Sequence, residues 1–229
     1  MKTLLILFCL IFMIIFIILE KNEKYILAVI LKGLASCMFV ALGLWCSRVI
    51  NADPQFIKMV RIGLVLGLIA DILLNLRFVF KNNGKAVFLV GILVFLSGHI
   101  FYICALIPLV NSLLILILVG IIVSAITLKI IFDHIEAQMA FKIFGVFYIG
   151  AIVIMNCLAI STFIQDPTNT RYLLFMIGAL LFFVSDVVLI LNTFGKTTRF
   201  SLRVTNLSLY YFGQMLIALS LLFPILSIV

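Results

Sequence analysis

Eight long apolar stretches, parted by short polar breaks, constrain this 229-residue chain more than any motif within it. They cover residues 3–19, 25–46, 56–77, 86–108, 112–132, 141–164, 172–194 and 206–227. About 20 apolar residues, rising 1.5 Å each as a helix, cross the hydrocarbon of a bilayer. In that solvent every backbone N–H and C=O must find its partner inside the chain, which a segment of this length achieves as an α-helix. With 66% hydrophobic and 10% charged residues, lipid must be the solvent for most of the surface. The sequence therefore predicts an all-α polytopic membrane protein, eight transmembrane helices in a single domain spanning residues 1–229. The four prolines (Pro54, Pro108, Pro167, Pro224) fall in loops or near helix ends, where a missing N–H costs little. The stretch from Thr3 to Leu19 is long for a signal peptide and has no small-x-small cleavage site before Glu20, so it reads as a retained first helix.

The formal net charge of +8 does not point to nucleic acid. Basic residues sit in the breaks, where they meet water and lipid headgroups, and no basic stripe carries interleaved aromatics. The expected partner is membrane lipid. Lys21, Lys24, Arg77, Lys81, Lys85, Lys129, Lys142, Lys196, Arg199 and Arg203 lie on the side of loops 1–2, 3–4, 5–6 and 7–8, against five basic residues on the other side. The positive-inside rule then sets both termini outside. Five cysteines lie in apolar runs without CxxC or Cys/His spacing and read as buried hydrophobes, so neither a metal nor another cofactor is expected.

Two of the apolar stretches carry a carboxylate. GLVLGLIADILLN holds Asp71 eight residues after Gly63, and GALLFFVSDVVLILN holds Asp186 eight after Gly178. An ionisable group inside a membrane segment is costly and marks a functional site by default. The offset of four helices keeps the chain direction, which is compatible with a four-plus-four parallel repeat.

Counted from the nearest basic residue, Asp71 lies roughly 9 Å deep, Asp186 roughly 15 Å, Lys32 roughly 12 Å, Tyr148 roughly 9 Å and Gln214 roughly 12 Å from Asn206. Five polar groups from five helices thus share one depth band. Gly63, Gly67, Asp71 and Asn75 recur every four residues and form one helical stripe, whose GxxxG lets a neighbour approach and turns Asp71 into the bundle. Tyr210 and Gln214 share a face, as do Lys32 and Ser36. His99, roughly 21 Å deep, and Asn156 at similar depth are expected at the bottom of a cavity whose mouth is the aspartate layer. Asn192 falls on another face from Asp186. Lys32 balances only one carboxylate, so one of the two is expected to keep a proton, the arrangement that acid/base hydrolysis needs.

Helix 3 GLIADILLNL, helix 4 GHIFYI, helix 6 with Tyr148, helix 7 GALLFFVSDVVLIL and helix 8 YYFGQMLIALS resemble the YhhN-type lysoplasmalogenase family. The resemblance covers nearly the whole chain, and its specific part is the two aspartate helices. One departure is Ala70, where the family pattern leads one to expect glycine before the first aspartate. The resemblance implies an integral membrane hydrolase that cleaves the vinyl ether of lysoplasmalogens to a fatty aldehyde and glycerophosphocholine or glycerophosphoethanolamine. It implies Asp71 and Asp186 as the catalytic pair, with Lys32, Tyr148, Tyr210 or Tyr211 and Gln214 as the other polar positions. Asn75 and His99 join them as substrate-binding or supporting residues on the grounds of stripe and face. Protonating the β-carbon of a vinyl ether leaves an oxocarbenium ion for water to attack, and this takes two carboxyls but no metal. The alternative is a proton-coupled transporter of a small lipid or metabolite, motivated by the helix count, the repeat and the midplane His99. The Ile-, Lys- and Asn-leaning composition is compatible with a bacterial cytoplasmic (inner) membrane.

Overall fold

The computed structural model describes residues 1–48 and 53–223, apart from the side chain of Lys81. Its helices are α1 (Lys2–Lys21), α2 (Tyr25–Cys46), α3 (Pro54–Leu76), α4 (Gly84–Leu106), α5 (Leu113–Phe132), α6 (Met139–Gln165), α7 (Thr170–Phe194) and α8 (Phe200–Ser220), with 3₁₀ turns at Lys81–Asn83 and Ile107–Leu109. The first seven agree with the apolar stretches to within two residues at either end. The eighth starts six residues earlier than hydropathy alone suggests. The Asn192 side chain accepts the backbone N–H of Arg199 at 2.8 Å, which ties the end of α7 to the entry of α8 and carries a polar first turn into the helix. It also stops sooner, at Ser220, because Phe223 precedes a proline and such a residue disfavours helix. Pro224 and residues 225–227 of the expected eighth span lie outside the described residues.

Among the described residues six helices are long and apolar enough to cross a membrane, and the protein is an integral membrane protein. The two that fall short, α3 and α8, carry polar residues that they turn inward: Asp71 and Asn75 from α3, Asn206 and Gln214 from α8. Packing explains how. Helices α2, α3, α4, α6, α7 and α8 each pack on the next, and α8 returns to α2, closing a ring of six. Helix α1 lies outside the ring against α2 and α8, and α5 lies outside it mainly against α6. Accordingly α5 buries only Gly120, Ser124 and Ile131 and shows lipid an almost continuous surface of Ile, Leu and Val.

Advancing every helix by four maps this ring onto itself and exchanges α1 with α5. The glycines follow the same rule. Gly63 of α3 stands against Tyr102 of α4, and a Cβ on Gly98 of α4 would lie 3.4 Å from the Gly63 carbonyl oxygen. On α7 and α8, 115 residues on, a Cβ on Gly178 would stand 2.8 Å from the Gly213 carbonyl oxygen, and one on Gly213 equally close to that of Gly178. Both crossings are backbone against backbone, the approach that small residues permit in membranes. The parallel four-plus-four pattern is therefore present in the packing as well as in the G-x7-D spacing.

A leucine at Gly178 must push α8 away, an overpacking cost of about 1–3 kcal/mol. The expected outcome is a clearly lower unfolding temperature in detergent for Gly178→Leu. Gly150→Leu, at a position with nothing within 4 Å, leaves that temperature unchanged.

Candidate active site

All six ring helices send polar side chains inward. Asp71 on α3 is the most heavily bonded. Its Oδ1 lies 3.1 Å from the Lys32 Nζ of α2, and its Oδ2 accepts from Ser36 Oγ of α2 and Tyr210 OH of α8, each at 2.6 Å. Lys32 and Ser36 reach it together because i and i+4 share a helix face. Tyr211 holds that face from behind: its hydroxyl meets Ser36 Oγ at 3.1 Å and donates to the Lys32 carbonyl. Gly67, one turn below Asp71, leaves room for Tyr210 and Gln214 to lie across α3. Gln214 accepts there from Tyr102 OH at 2.9 Å. Ala70 is fully buried, and its methyl adds little bulk where the family pattern led to an expectation of glycine.

Asp186 on α7 has fewer partners and no lysine. Tyr148 OH of α6 donates to its Oδ2 at 2.6 Å, and His99 Nε2 of α4 stands 3.7 Å from the same oxygen and 3.4 Å from the Tyr148 hydroxyl. No protein hydrogen bond reaches Oδ1 among the described residues, and Asp186 borders a cavity. The two carboxylates draw on helices related by the same advance of four, α2 with α8 for one and α6 with α4 for the other.

Above the aspartates lies a second polar layer. Glu20, from the last turn of α1, accepts two bonds from Arg203 of α8, at 2.7 and 3.0 Å. Asn75 links it to the first layer, donating to Glu20 at 3.1 Å and accepting from both Lys32 and Arg203 at 3.3 Å. Arg77, just past α3, lies 4.6 Å from the Phe78 ring and 4.4 Å from the Phe88 ring. It has no hydrogen bond to protein among the described residues. Burial and the like charge of Arg203 push it well below the ordinary arginine range, and the Glu20 carboxylate offsets only part of this.

Three spaces meet here. A cavity of about 20 Å³, room for roughly one water, is lined by Asp71, Asp186, Lys32, Tyr210, Arg77 and Arg203. It shares Leu74, Phe88, Phe95 and Leu189 with an apolar slot of about 50 Å³ between α4, α5, α6 and α7, where Gly145 leaves open space. It shares Arg77, Leu189, Arg203 and Asn206 with a vestibule of about 620 Å³ at the ends of α1, α3, α7 and α8.

The sequence-derived set is thus largely brought together, with three changes. His99 does not lie at the bottom of a cavity but reaches Asp186, because the imidazole and the long Tyr148 phenol both extend along the ring interior. Asn156 turns the other way: it donates to the Ile152 carbonyl and lines a separate groove beside Leu116 and Phe183. Tyr211 and Gln214 support the layer without lining the aspartate cavity. Asn192, assigned to another face, is indeed bonded elsewhere. Glu20 was not singled out for the site, and Arg203 and Asn206 served only as a loop charge and a depth marker, although helical spacing held a signal for Glu20 and Arg203. Cys9, Met13, Phe16 and Glu20 follow one face of α1, as Arg203, Leu207, Tyr210 and Gln214 follow one of α8.

Against models of known protein families, residues 27–221 match the YhhN family. Neither the curated proteins nor the solved structures contain a match to the chain.

Removing one partner of a buried ion pair strands the other, at about 3–5 kcal/mol. Lys32→Met is therefore expected to destabilise the protein severely, and Lys32→Met combined with Asp71→Asn to recover much of the loss. Thermal unfolding of the two variants beside wild type in detergent measures it.

Proposed function

The chain belongs to the YhhN family, and from that membership and the geometry of the aspartates we propose that it is a lysoplasmalogenase, a hydrolase of the vinyl ether bond in 1-alkenyl-glycerophosphocholine or -ethanolamine. The observation that carries the reading is the asymmetry of two carboxyls around one cavity. Both residues line the cavity, but Asp71 has its oxygens occupied by a cation and two hydroxyls, whereas Asp186 has one oxygen that no protein group bonds among the described residues. Asp186 is accordingly the acid, and Asp71 the fixed negative charge.

The steps follow. Asp186 gives its proton to the β-carbon of the vinyl ether, and the ether oxygen's lone pair moves in to make an oxocarbenium ion. The ionised Asp186 and Asp71 stabilise that cation, more strongly in a site closed to bulk water than in solution. Water adds to the cationic carbon and returns a proton to Asp186, leaving a hemiacetal. Its C–O bond to glycerol breaks, the hydroxyl proton passes to the glycerol oxygen, and fatty aldehyde and glycerophosphodiester result. Tyr148 and His99 hold Asp186 in place; Lys32, Ser36 and Tyr210 do the same for Asp71. The apolar slot receives the first carbons of the chain, and the membrane is proposed to be a bacterial cytoplasmic one.

Purified protein is expected to release aldehyde from a lysoplasmalogen and nothing from its saturated-ether analogue, which gives no stabilised cation. Asp186→Asn should lower the rate by about 10²–10⁴, the usual worth of a general acid; an Asp186→Asn variant with wild-type turnover sinks the proposal. Uptake of the lipid into proteoliposomes without chemical change would point to transport instead. Gly145→Phe fills the slot, and its expected effect is a raised KM for long-chain substrates with little change for a short-chain one.

A further inference from the structure

The vestibule above the aspartates has more cations than its own anions balance. Arg77, Arg203, Lys21 and Arg199 line it against Glu20 and Glu23. Arg203 is already committed to Glu20 through two hydrogen bonds. Arg77 makes no ion pair among the described residues and feels Glu20 only at longer range. It is half-buried, sandwiched between the faces of Phe78 and Phe88, and stands where vestibule and aspartate cavity share a wall. A guanidinium presents a planar fork of donors that fits phosphate oxygens two at a time. Held by two aromatic rings rather than by hydrogen bonds, this one keeps its N–H groups available.

We propose that the vestibule, with Arg77 at its junction with the aspartate cavity, binds the phosphodiester of a single-chain phospholipid. The proposal deepens the function given above and rests on it for the identity of the lipid. In a glycerophospholipid the phosphodiester and the chain-bearing oxygen sit at opposite ends of one glycerol unit. Arg77 lines both compartments, so a phosphate on Arg77 sets the ether bond beside Asp186 and directs the chain toward the apolar slot. Burial disfavours the charge of Arg77, and an anion in the vestibule would offset that penalty.

The test uses ligands that cannot react, so that binding is separated from turnover. Full-length protein in detergent is titrated with a saturated-ether lysophosphocholine, with the 1-alkylglycerol of the same chain length, and with glycerophosphocholine and inorganic phosphate. Wild type is expected to prefer the lysophospholipid over the alkylglycerol by about 10- to 100-fold, the worth of charged hydrogen bonds. Arg77→Gln should erase that preference and Arg77→Lys keep part of it. Raising salt should weaken the preference in wild type, a reading that needs no variant to fold. A wild-type preference retained in Arg77→Gln, or one insensitive to salt, overturns the site. Glycerophosphocholine or phosphate binding as tightly as the lysolipid overturns its assignment to a lipid. Aldehyde release is measured separately, so loss of the hydrolase reading and loss of the phosphate site are told apart.

Discussion

The ion pair between Lys32 and Asp71, fully enclosed by helices, is the interaction on which the rest of the structure depends. Two charges taken out of water are tolerable only with good geometry and with their remaining lone pairs and protons satisfied. Asp71 needs donors on both oxygens and receives them from α2 and α8, which fixes those two helices against α3 at one height. The Lys32 ammonium needs acceptors and takes a second in Asn75, which in turn bonds Glu20 and Arg203. A chain of polar contacts thus runs from the buried pair to the ends of α1 and α8. Below the pair the requirement is opposite: a Cβ on Gly67 would stand 3.1 Å from the Gln214 amide nitrogen, so a small residue there leaves Gln214 its place against α3.

The repeat explains why there are two carboxylates, and its imperfection explains why they differ. The G-x7-D pattern delivers both aspartates to the ring interior beside equivalent glycine crossings. Their neighbours come from helices exchanged by the same advance of four, but the residues there have diverged. Where α2 offers Lys32 and Ser36, α6 offers Tyr148; where α8 offers Tyr210, α4 offers His99. Equivalent backbones therefore surround one carboxyl with a cation and hydroxyls, and the other with a phenol and an imidazole.

Hydropathy made the helices legible because a lipid solvent leaves a long apolar run no other structure. It failed at α8, where the first turn is polar and is held by Asn192 rather than by burial of apolar surface. The aspartates, Lys32 and Tyr148 were legible because a polar group in an apolar run has to face protein. Glu20 was not, since charges at helix ends look like ordinary interfacial residues, and Arg77 and Arg203 stood out only as members of the basic face. Depth counting misjudged His99 because it follows Cα positions along an axis, whereas a long side chain reaches across levels. Asn156 shows the reverse failure: depth gives height but not direction, and its amide turns to its own helix.

The charges of the site constrain how it would work. Among the acidic and basic side chains that line the aspartate cavity, Lys32 balances Asp71 and Arg203 is paired with Glu20, which leaves Arg77 and Asp186. With the site empty, a neutral Asp186 leaves one unbalanced cation; a phosphodiester on Arg77 removes it. In that complex a protonated Asp186 would make the enclosure neutral overall, so the proposed acid would be held in its reactive form until the substrate itself became cationic. Transfer of the proton then creates a positive carbon and a negative Asp186 together, and no net charge is gained in the low-dielectric interior. A neutral lipid at the same position would leave Arg77 uncompensated beside a developing cation. On the proposed mechanism the phosphate would thus do more than anchor the headgroup: it would supply the charge that lets a carboxylic acid protonate carbon inside a membrane.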